Sequence, residues 1–357
     1  MVSLALARMR AVPRAATARF LAQPVTASAL LLIVACVIYF AAQPRALSAY
    51  GIDNLLDEYT ALALAAVGEC FVIITGGFDM SVGAVMAFIN VIMAVYMGHN
   101  ATGFALLALG IGAACGAING LLVTALRIPS LIATIAMMFV WEGAALFILP
   151  QPGGSVDQGF VVTVTGSVGQ IPTATFILVA AGLLGGWVLK TRAGGWLLAV
   201  GASETAAHTQ GLPVRRLKIL AYLLAGLFYG AAGMFFTAES GSGDPTIGQS
   251  FLMEAFAAVA VGGTIFGGGR GSAVASILGA FITGVINNLL QVLGVSSFTT
   301  PAFYGAVLFL AVAARSSRLH GYLRDAAHRL RPGSAGAGPP RSVGRKGTVL
   351  IPGGGKR

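Results

Sequence analysis

Glu69 and Glu142 are the two acidic residues that lie deepest within continuous apolar runs of this sequence. A charge held far from water is costly, so such residues usually serve a function, and here that function would be the polar lining of a path for a solute. The alternative is a carboxyl group that is protonated or is hydrogen-bonded to neighbouring helices. The sequence leaves both interpretations open.

Other reactive residues show no catalytic arrangement. The histidines fall in predicted loops or in the tail, without metal-ligand spacing: His99, His208, His320 and His328. The cysteines fall inside apolar runs, where they are expected to be small packing residues: Cys36, Cys70 and Cys115. Lys190-Thr191 lacks the preceding glycine of a phosphate-binding loop. We therefore predict no catalytic, cofactor-binding or metal site, and any ATP-driven step must use another polypeptide.

The apolar runs themselves predict the fold class. The chain has 357 residues, of which 57% are hydrophobic and 10% charged, against about 25% charge in soluble domains. Runs of about 17–25 apolar residues match a hydrocarbon layer of roughly 30 Å. They are continuous and not alternating, which favours helices over a barrel. We predict an all-α polytopic membrane protein, and the net charge of +10 does not indicate a nucleic-acid partner.

About ten spans are expected, with edges uncertain by several residues. The first is predicted to be a retained helix and not a cleaved signal peptide. Glycine-rich junctions after the second and eighth spans could instead be re-entrant turns, which leaves counts from about eight to eleven open. The predicted spans are 26–43, 54–75, 79–97, 102–126, 129–149, 171–190, 217–238, 251–266, 272–292 and 298–314.

The distribution of lysine and arginine predicts the orientation. With the N-terminus in the cytoplasm, every basic residue except Arg45 falls on the cytoplasmic side. Both termini are then cytoplasmic. The predicted organisation is a basic N-terminal segment (1–25), a transmembrane permease domain (26–315) with a cytoplasmic loop (191–216), and a basic, largely disordered tail (316–357).

Small residues at regular spacing predict close helix packing. Gly112, Gly116 and Gly120 form one stripe, and Gly226, Gly230 and Gly233 form another. A weak similarity between residues 118–122 and 286–290 fits an inverted repeat of spans two to five against spans seven to ten.

Several polar and glycine positions are candidates for helix breaks or for the lining of a translocation path. Gly76-Gly77 would allow the backbone to leave the helical conformation after the second span, and Asp79 or Ser81 could cap the next helix. Such breaks persist at depth where they line a cavity or pack on protein. The same two interpretations apply to the remaining candidates: Gly262, Gly263, Thr264, Asn287 and Asn288.

The loop 191–216 contains a predicted short helix. Ser203 is a suitable N-cap, Glu204 lies in its first turn, and Gly211 would end it before Leu212-Pro213. A short polar helix of this kind either docks into a partner protein or is an ordinary capped loop helix.

Residues 74–83 resemble the T-G-G-[IF]-D-[LM]-S-V-G signature of the ribose/xylose-type ABC permeases, a family of branched-chain amino acid and monosaccharide permeases. The similarity covers about residues 50–315. Further matching segments are Asn119–Thr124, Arg127–Thr134, Gly201–Ala207, Gly211–Val214, Ala257–Gly271 and Gly294–Phe298. Phe78 and Met80 depart from the commoner Ile and Leu, a departure that bears on the solute and not on the transporter class.

The resemblance implies the membrane-spanning permease subunit of a bacterial ABC importer in the inner membrane, translocating a small polar solute, foremost a monosaccharide. It implies a separate cytoplasmic ATPase subunit, a periplasmic solute-binding protein and a second permease copy, in a homodimer or heterodimer. The resemblance also implies that the short helix is the coupling helix, which contacts the ATPase subunit. Its candidate residues are Ser203, Glu204, Ala206, Ala207 and Gly211. The alternatives are an ion-coupled secondary transporter and a membrane scaffold or channel.

Overall fold

The computed structural model describes residues 23–296 and 299–313. Within them the chain is almost entirely helical, with thirteen α-helices, one 3-10 turn and one short hairpin. Most of the predicted N-terminal segment and the whole predicted tail 316–357 lie outside the described residues. The helices are α1 (Pro24–Ala42), α2 (Ala49–Ile73), α3 (Val82–Tyr96), α4 (Ala101–Ala125), α5 (Ser130–Ile148), α6 (Gln158–Thr165), α7 (Thr173–Lys190), α8 (Arg192–Ala202), α9 (Glu204–Thr209), α10 (Val214–Ser240), α11 (Gly248–Val261), α12 (Ala273–Val292) and α13 (Thr300–Ala313).

Each of the ten predicted spans coincides with a helix, namely α1–α5, α7 and α10–α13. Six of these helices are long and apolar enough to cross a membrane: α1, α4, α5, α7, α10 and α12. Three others, α3, α11 and α13, are apolar but shorter. The predicted fold class, an all-α polytopic membrane protein, is confirmed.

Helix α2 is long but carries four acidic residues, so its composition is less apolar than that of its neighbours. Its second half, Tyr59–Ile73, is buried without interruption. It therefore lies at the centre of the bundle, where protein and not lipid surrounds it.

Helix α10 forms the other central element and packs on α2, α3 and α4. Its contact with α4 depends on the predicted glycine stripes. A side chain at Gly116 would strike the backbone of Tyr222 and Gly226, and one at Gly112 would strike Gly226 and Gly230. Because neither helix has a Cβ at these points, the two backbones meet directly, as predicted.

Five elements were not predicted individually. A 3-10 turn (Pro44–Leu47) precedes α2, and α6 is followed by strands β1 (Ser167–Val168) and β2 (Ile171–Pro172), which pair through a turn at Gly169. Helix α8 follows α7 directly; Thr191 caps it by accepting a hydrogen bond from Gly194 N at 3.2 Å.

The order of one long helix, one short helix and one long helix occurs at α2–α4 and again at α10–α12. This arrangement fits the predicted inverted repeat, which stays a prediction, as does the orientation in the membrane.

Candidate functional site

The first helix break lies between α2 and α3, as predicted. Gly76 adopts a φ of +79°, a left-handed conformation that favours glycine, and ends the helix. The chain then folds back alongside α2, so that Asp79 N donates a hydrogen bond to Glu69 Oε1 at 3.3 Å. The backbone of Asp79 is thus bonded to the side chain of Glu69, although ten positions separate the two residues in the sequence.

Asp79 is the centre of a buried polar network. Its Oδ1 accepts hydrogen bonds from Ser81 N at 3.0 Å, from Ser81 Oγ at 2.6 Å and from Asn119 Nδ2 at 3.2 Å. Ser81 precedes α3, but its hydroxyl makes no cap with that helix and donates to Asp79 instead. Of the two predicted caps, Ser81 is wrong, because its hydroxyl oxygen accepts a hydrogen bond from Asn119 Nδ2 at 2.8 Å and none from an amide of α3. Asp79 instead satisfies the amide of Ser81, which directly precedes the helix.

Glu69 completes this network and is bonded to a neighbouring helix. Its Oε2 accepts a hydrogen bond from Tyr229 Oη at 2.7 Å. Glu69, Asp79, Ser81 and Asn119 are all fully buried. Of the two interpretations of Glu69, hydrogen bonding between helices is therefore the one that this conformation shows. Asn119 was not predicted as a partner of Asp79, although both lie in segments that resemble the family.

The second break lies between α11 and α12. Gly263 has a φ of +88°, and Gly268 and Gly269 also lie in the left-handed region. Thr264 is fully buried, and its Oγ1 lies 3.6 Å from Cys70 Sγ on α2. A side chain at Gly262 would strike Ala275 at the start of α12. These residues form a packed helix break, and their role in lining a path stays a prediction.

Asn287 and Asn288 lie inside α12 and not at a break. Asn288 Oδ1 accepts a hydrogen bond from Tyr59 Oη at 2.6 Å, and its Nδ2 donates to Glu58 Oε2 at 3.3 Å. Asn287 lines a separate cavity of 200 Å³ together with Glu254 and Tyr304. Asn288 therefore bonds between helices, and Asn287 faces open space.

The predicted short cytoplasmic helix is α9. Ser203 caps it by accepting a hydrogen bond from Ala206 N at 3.2 Å, and Gly211, with a φ of +78°, follows its end. Glu204 forms an ion pair of 2.6 Å with Lys218 on α10. Ala207 is buried and anchors the helix, whereas its neighbours Ala206 and His208 are exposed. The predicted helix and both of its ends are confirmed.

The end of α8, which leads directly into α9, contacts both helix breaks through its backbone. Gly269 N donates a hydrogen bond to Ile74 O at 2.8 Å. A side chain at Gly201, just before α9, would strike both Ile74 O and Gly269 N. The end of α2, the loop before α12 and the base of α9 therefore meet at one end of the bundle.

A basic cavity of 480 Å³ opens beside α9. We define it by Arg127, His208, Arg215 and Lys218, with Gly76 of the first break in its wall. Within the described residues, neither Arg127 nor Arg215 forms an ion pair. Glu204 also lines the cavity and pairs with Lys218, so Arg127 and Arg215 are the two cationic groups of the cavity that no acidic side chain of the described residues neutralises.

The sequence matches known transport proteins over most of its length. The family model for the branched-chain amino acid transport system permease component matches residues 51–312. The ribose import permease protein of Bacillus subtilis is 38% identical over 288 residues, which cover 79% of this chain and 89% of that protein. The ribose import permease protein of Escherichia coli K12 is 34% identical over 295 residues, covering 80% and 91% respectively.

A third similar protein is the fructose import permease protein of Rhizobium meliloti, 32% identical over 279 residues, covering 74% of this chain and 78% of that protein. No solved structure matches the chain.

Proposed function

This chain belongs to the family of branched-chain amino acid transport system permease components, and from its similarity to permeases named for ribose and fructose import we propose that the solute it carries is a monosaccharide. The chain is a multi-pass protein of the bacterial inner membrane and the permease subunit of an ABC importer. The observation that carries the sugar assignment is the similarity, over about four fifths of the chain, to permeases named for ribose import.

We further propose that the energy comes from a separate ATPase subunit, which docks on α9. The sequence contains no phosphate-binding loop. Helix α9 exposes Glu204 and His208, while Ala207 fixes it to the bundle. The contact of Gly201 with both helix breaks supports a coupling role, because a movement of α9 would pass through the adjoining end of α8 to the end of α2 and to the loop before α12.

The basic cavity supports the same docking surface. Its unpaired Arg127 and Arg215 lie next to α9 and favour an acidic group on the ATPase subunit. Solute would be delivered by a periplasmic binding protein, and a second permease copy would complete the path. These partners follow from the family and belong to the proposal.

An ion-coupled carrier is the alternative, and one observation favours it. Glu69 and Asp79 are adjacent and buried within the bundle, as in proton relays. However, both side chains are hydrogen-bonded and have no contact with solvent. A permease driven by a separate ATPase also needs no proton relay. The two functions differ in their energy source, which reconstitution measures directly.

The test is uptake of labelled ribose and fructose by liposomes containing this chain, with the ATPase subunit and binding protein encoded beside its gene. We expect uptake that requires ATP and persists when a proton ionophore is added. Uptake without the ATPase subunit, abolished by the ionophore, would favour the ion-coupled carrier instead.

A matched pair of variants tests the docking surface. Arg215 lines the basic cavity, while the adjacent Arg216 is equally exposed but does not. We expect Arg215→Ala to weaken binding of the ATPase subunit roughly tenfold, and Arg216→Ala to have a much smaller effect. Equal effects of the two variants, measured by pull-down from detergent, would contradict a specific role for the cavity.

A further inference from the structure

A second cavity, of 270 Å³, lies between α5 and α11. We call it the α5–α11 cavity. Its walls are formed by Met138, Phe139 and Glu142 on α5 and by Gln249 and Leu252 on α11. Met80, which follows the first helix break, forms part of its floor. This cavity contains Glu142, the second of the two deep acidic residues, for which the sequence left two interpretations open.

The cavity lies within the membrane-spanning part of the bundle. Glu142 is in the interior of α5, a helix long and apolar enough to span a membrane. The short helices α3 and α11 begin at the same level, because the backbones of Gly83 and Gly248 are in direct contact. With 15 and 14 residues, these two helices extend only about 22 Å each. Their first turns meet beside the cavity, and neither helix is long enough to cross a hydrocarbon layer of roughly 30 Å by itself.

The polar groups of the cavity are few and well defined. Gln249 Nε2 donates a hydrogen bond to Glu142 Oε1 at 3.1 Å. This is the one side-chain hydrogen bond that Glu142 and Gln249 form within the described residues, which leaves Glu142 Oε2 and Gln249 Oε1 as acceptors for a ligand. The remaining walls are apolar, and Phe139 presents a side chain that is 64% exposed. Two acceptors and an aromatic surface suit a ligand that carries both hydroxyl groups and C–H faces.

The side of α5 that carries these residues is only partly covered by the rest of the chain: Gln249 of α11 reaches Glu142, but Phe139 stays exposed. In the described residues α5 packs chiefly on α3 and α4. A carboxylate facing lipid at this depth would be strongly unfavourable. The face that bears Glu142 is therefore expected to line a water-filled path and not to contact acyl chains.

From this geometry we infer that Glu142 and Gln249 contact the sugar as it crosses the membrane and discriminate among sugars by their hydroxyl groups. The inference rests on the proposed function, and it adds a site that family membership does not assign. Hydroxyl groups of the sugar donate to the carboxylate, while the ring's C–H face lies on Phe139. The site is a transient contact, so it acts on the rate of transport and on selectivity.

The test uses Glu142→Gln, which keeps the size of the side chain and an acceptor for Gln249 but removes the charge. Complexes reconstituted with the ATPase subunit and binding protein are supplied with labelled ribose and its monodeoxy analogues. We expect ribose uptake to fall about tenfold, and uptake of the analogue lacking the contacted hydroxyl to fall much less. A purely structural role of Glu142 would slow all of these sugars by the same factor.

ATP hydrolysis stimulated by the loaded binding protein provides the control for folding and assembly, and we expect it to stay within about twofold of wild type. Phe139→Ala should slow uptake, whereas Phe147→Ala, the same change at an exposed position of α5 outside the cavity, should not.

If the Glu142→Gln complex transports every sugar at the wild-type rate, or transports all of them more slowly by the same factor, the inference is wrong while the proposed function stands. If the wild-type complex shows no ATP-driven sugar uptake, both are wrong.

Discussion

Arg127 combines an unfavourable backbone conformation with a charge beside the basic cavity. Its φ of +55° makes it the one residue other than glycine with a positive φ in the described part of the chain. A side chain in this region costs about 1 kcal/mol, which glycine avoids. The exposed guanidinium lines the cavity next to α9. The strain points to a functional reason for arginine at this position.

Replacing Arg127 separates stability from function. We expect Arg127→Gly to unfold at the same temperature as wild type or higher, because the strain is relieved, yet to lose most of its ATP-driven uptake. Arg127→Ala keeps the strained conformation and should be about 1 kcal/mol less stable than Arg127→Gly, with the same loss of uptake. Thermal unfolding in detergent and liposome uptake measure the two effects. Wild-type uptake by Arg127→Gly would show that the side chain is dispensable.

Helices α4 and α10 show what could be predicted about elements from sequence. The spacing of Gly112, Gly116 and Gly226 predicted a close approach of helices, because only small residues let backbones meet in a membrane. The end of α9 was predicted for a similar reason, since Gly211 stops a helix by adopting a positive φ. Both features depend on local residue type, which the sequence displays directly.

The contact between Glu69 and Asp79 could not be predicted in this way. It depends on the direction in which the chain returns after Gly76, and that direction is set by tertiary packing. The same is true of the meeting of Gly83 with Gly248, which brings the starts of two distant helices together. Helix α8 was missed because it is short and contains Gly194 and Gly195, although Thr191 is a suitable cap.

The packing of α4 on α10 yields a prediction with an internal control. Gly116→Leu places a side chain against Tyr222 and Gly226, whereas Gly110→Leu on the same helix meets open space. Both changes improve helix propensity equally. We expect Gly116→Leu to lower the free energy of unfolding by about 3 kcal/mol, the upper end for overpacking, and Gly110→Leu to leave it unchanged or raise it by up to about 1 kcal/mol, the gain in helix propensity. Similar stabilities of the two variants in mixed micelles would contradict direct backbone packing.

At the scale of the whole molecule, the two cavities lie on either side of the segment that follows the first helix break. Gly76 and Gly77 line the basic cavity, and Met80 lines the α5–α11 cavity. Between them, Phe78 packs on Phe256 and Phe266 with ring centroids 6.2 Å and 6.0 Å apart. On the proposed function, a rearrangement of this segment would also move Phe78 and its aromatic contacts. The end of α8, which leads into α9, lies against Ile74 and so places the ATPase docking surface where it can act on the same segment.

This arrangement requires the basic cavity to face the cytoplasm, which labelling of single cysteines tests. Ser167 in the short hairpin and Gln210 after α9 are both exposed. They lie beyond opposite ends of the apolar helix α7, whose 18 residues extend about 27 Å. In a background with Cys36, Cys70 and Cys115 replaced by serine or alanine, we expect a membrane-impermeant maleimide to label Ser167→Cys in spheroplasts. Gln210→Cys should react only after the membrane is permeabilised. The reverse pattern would place α9 outside the cell, where no ATPase subunit could reach it, and would refute both the orientation and the coupling role of α9.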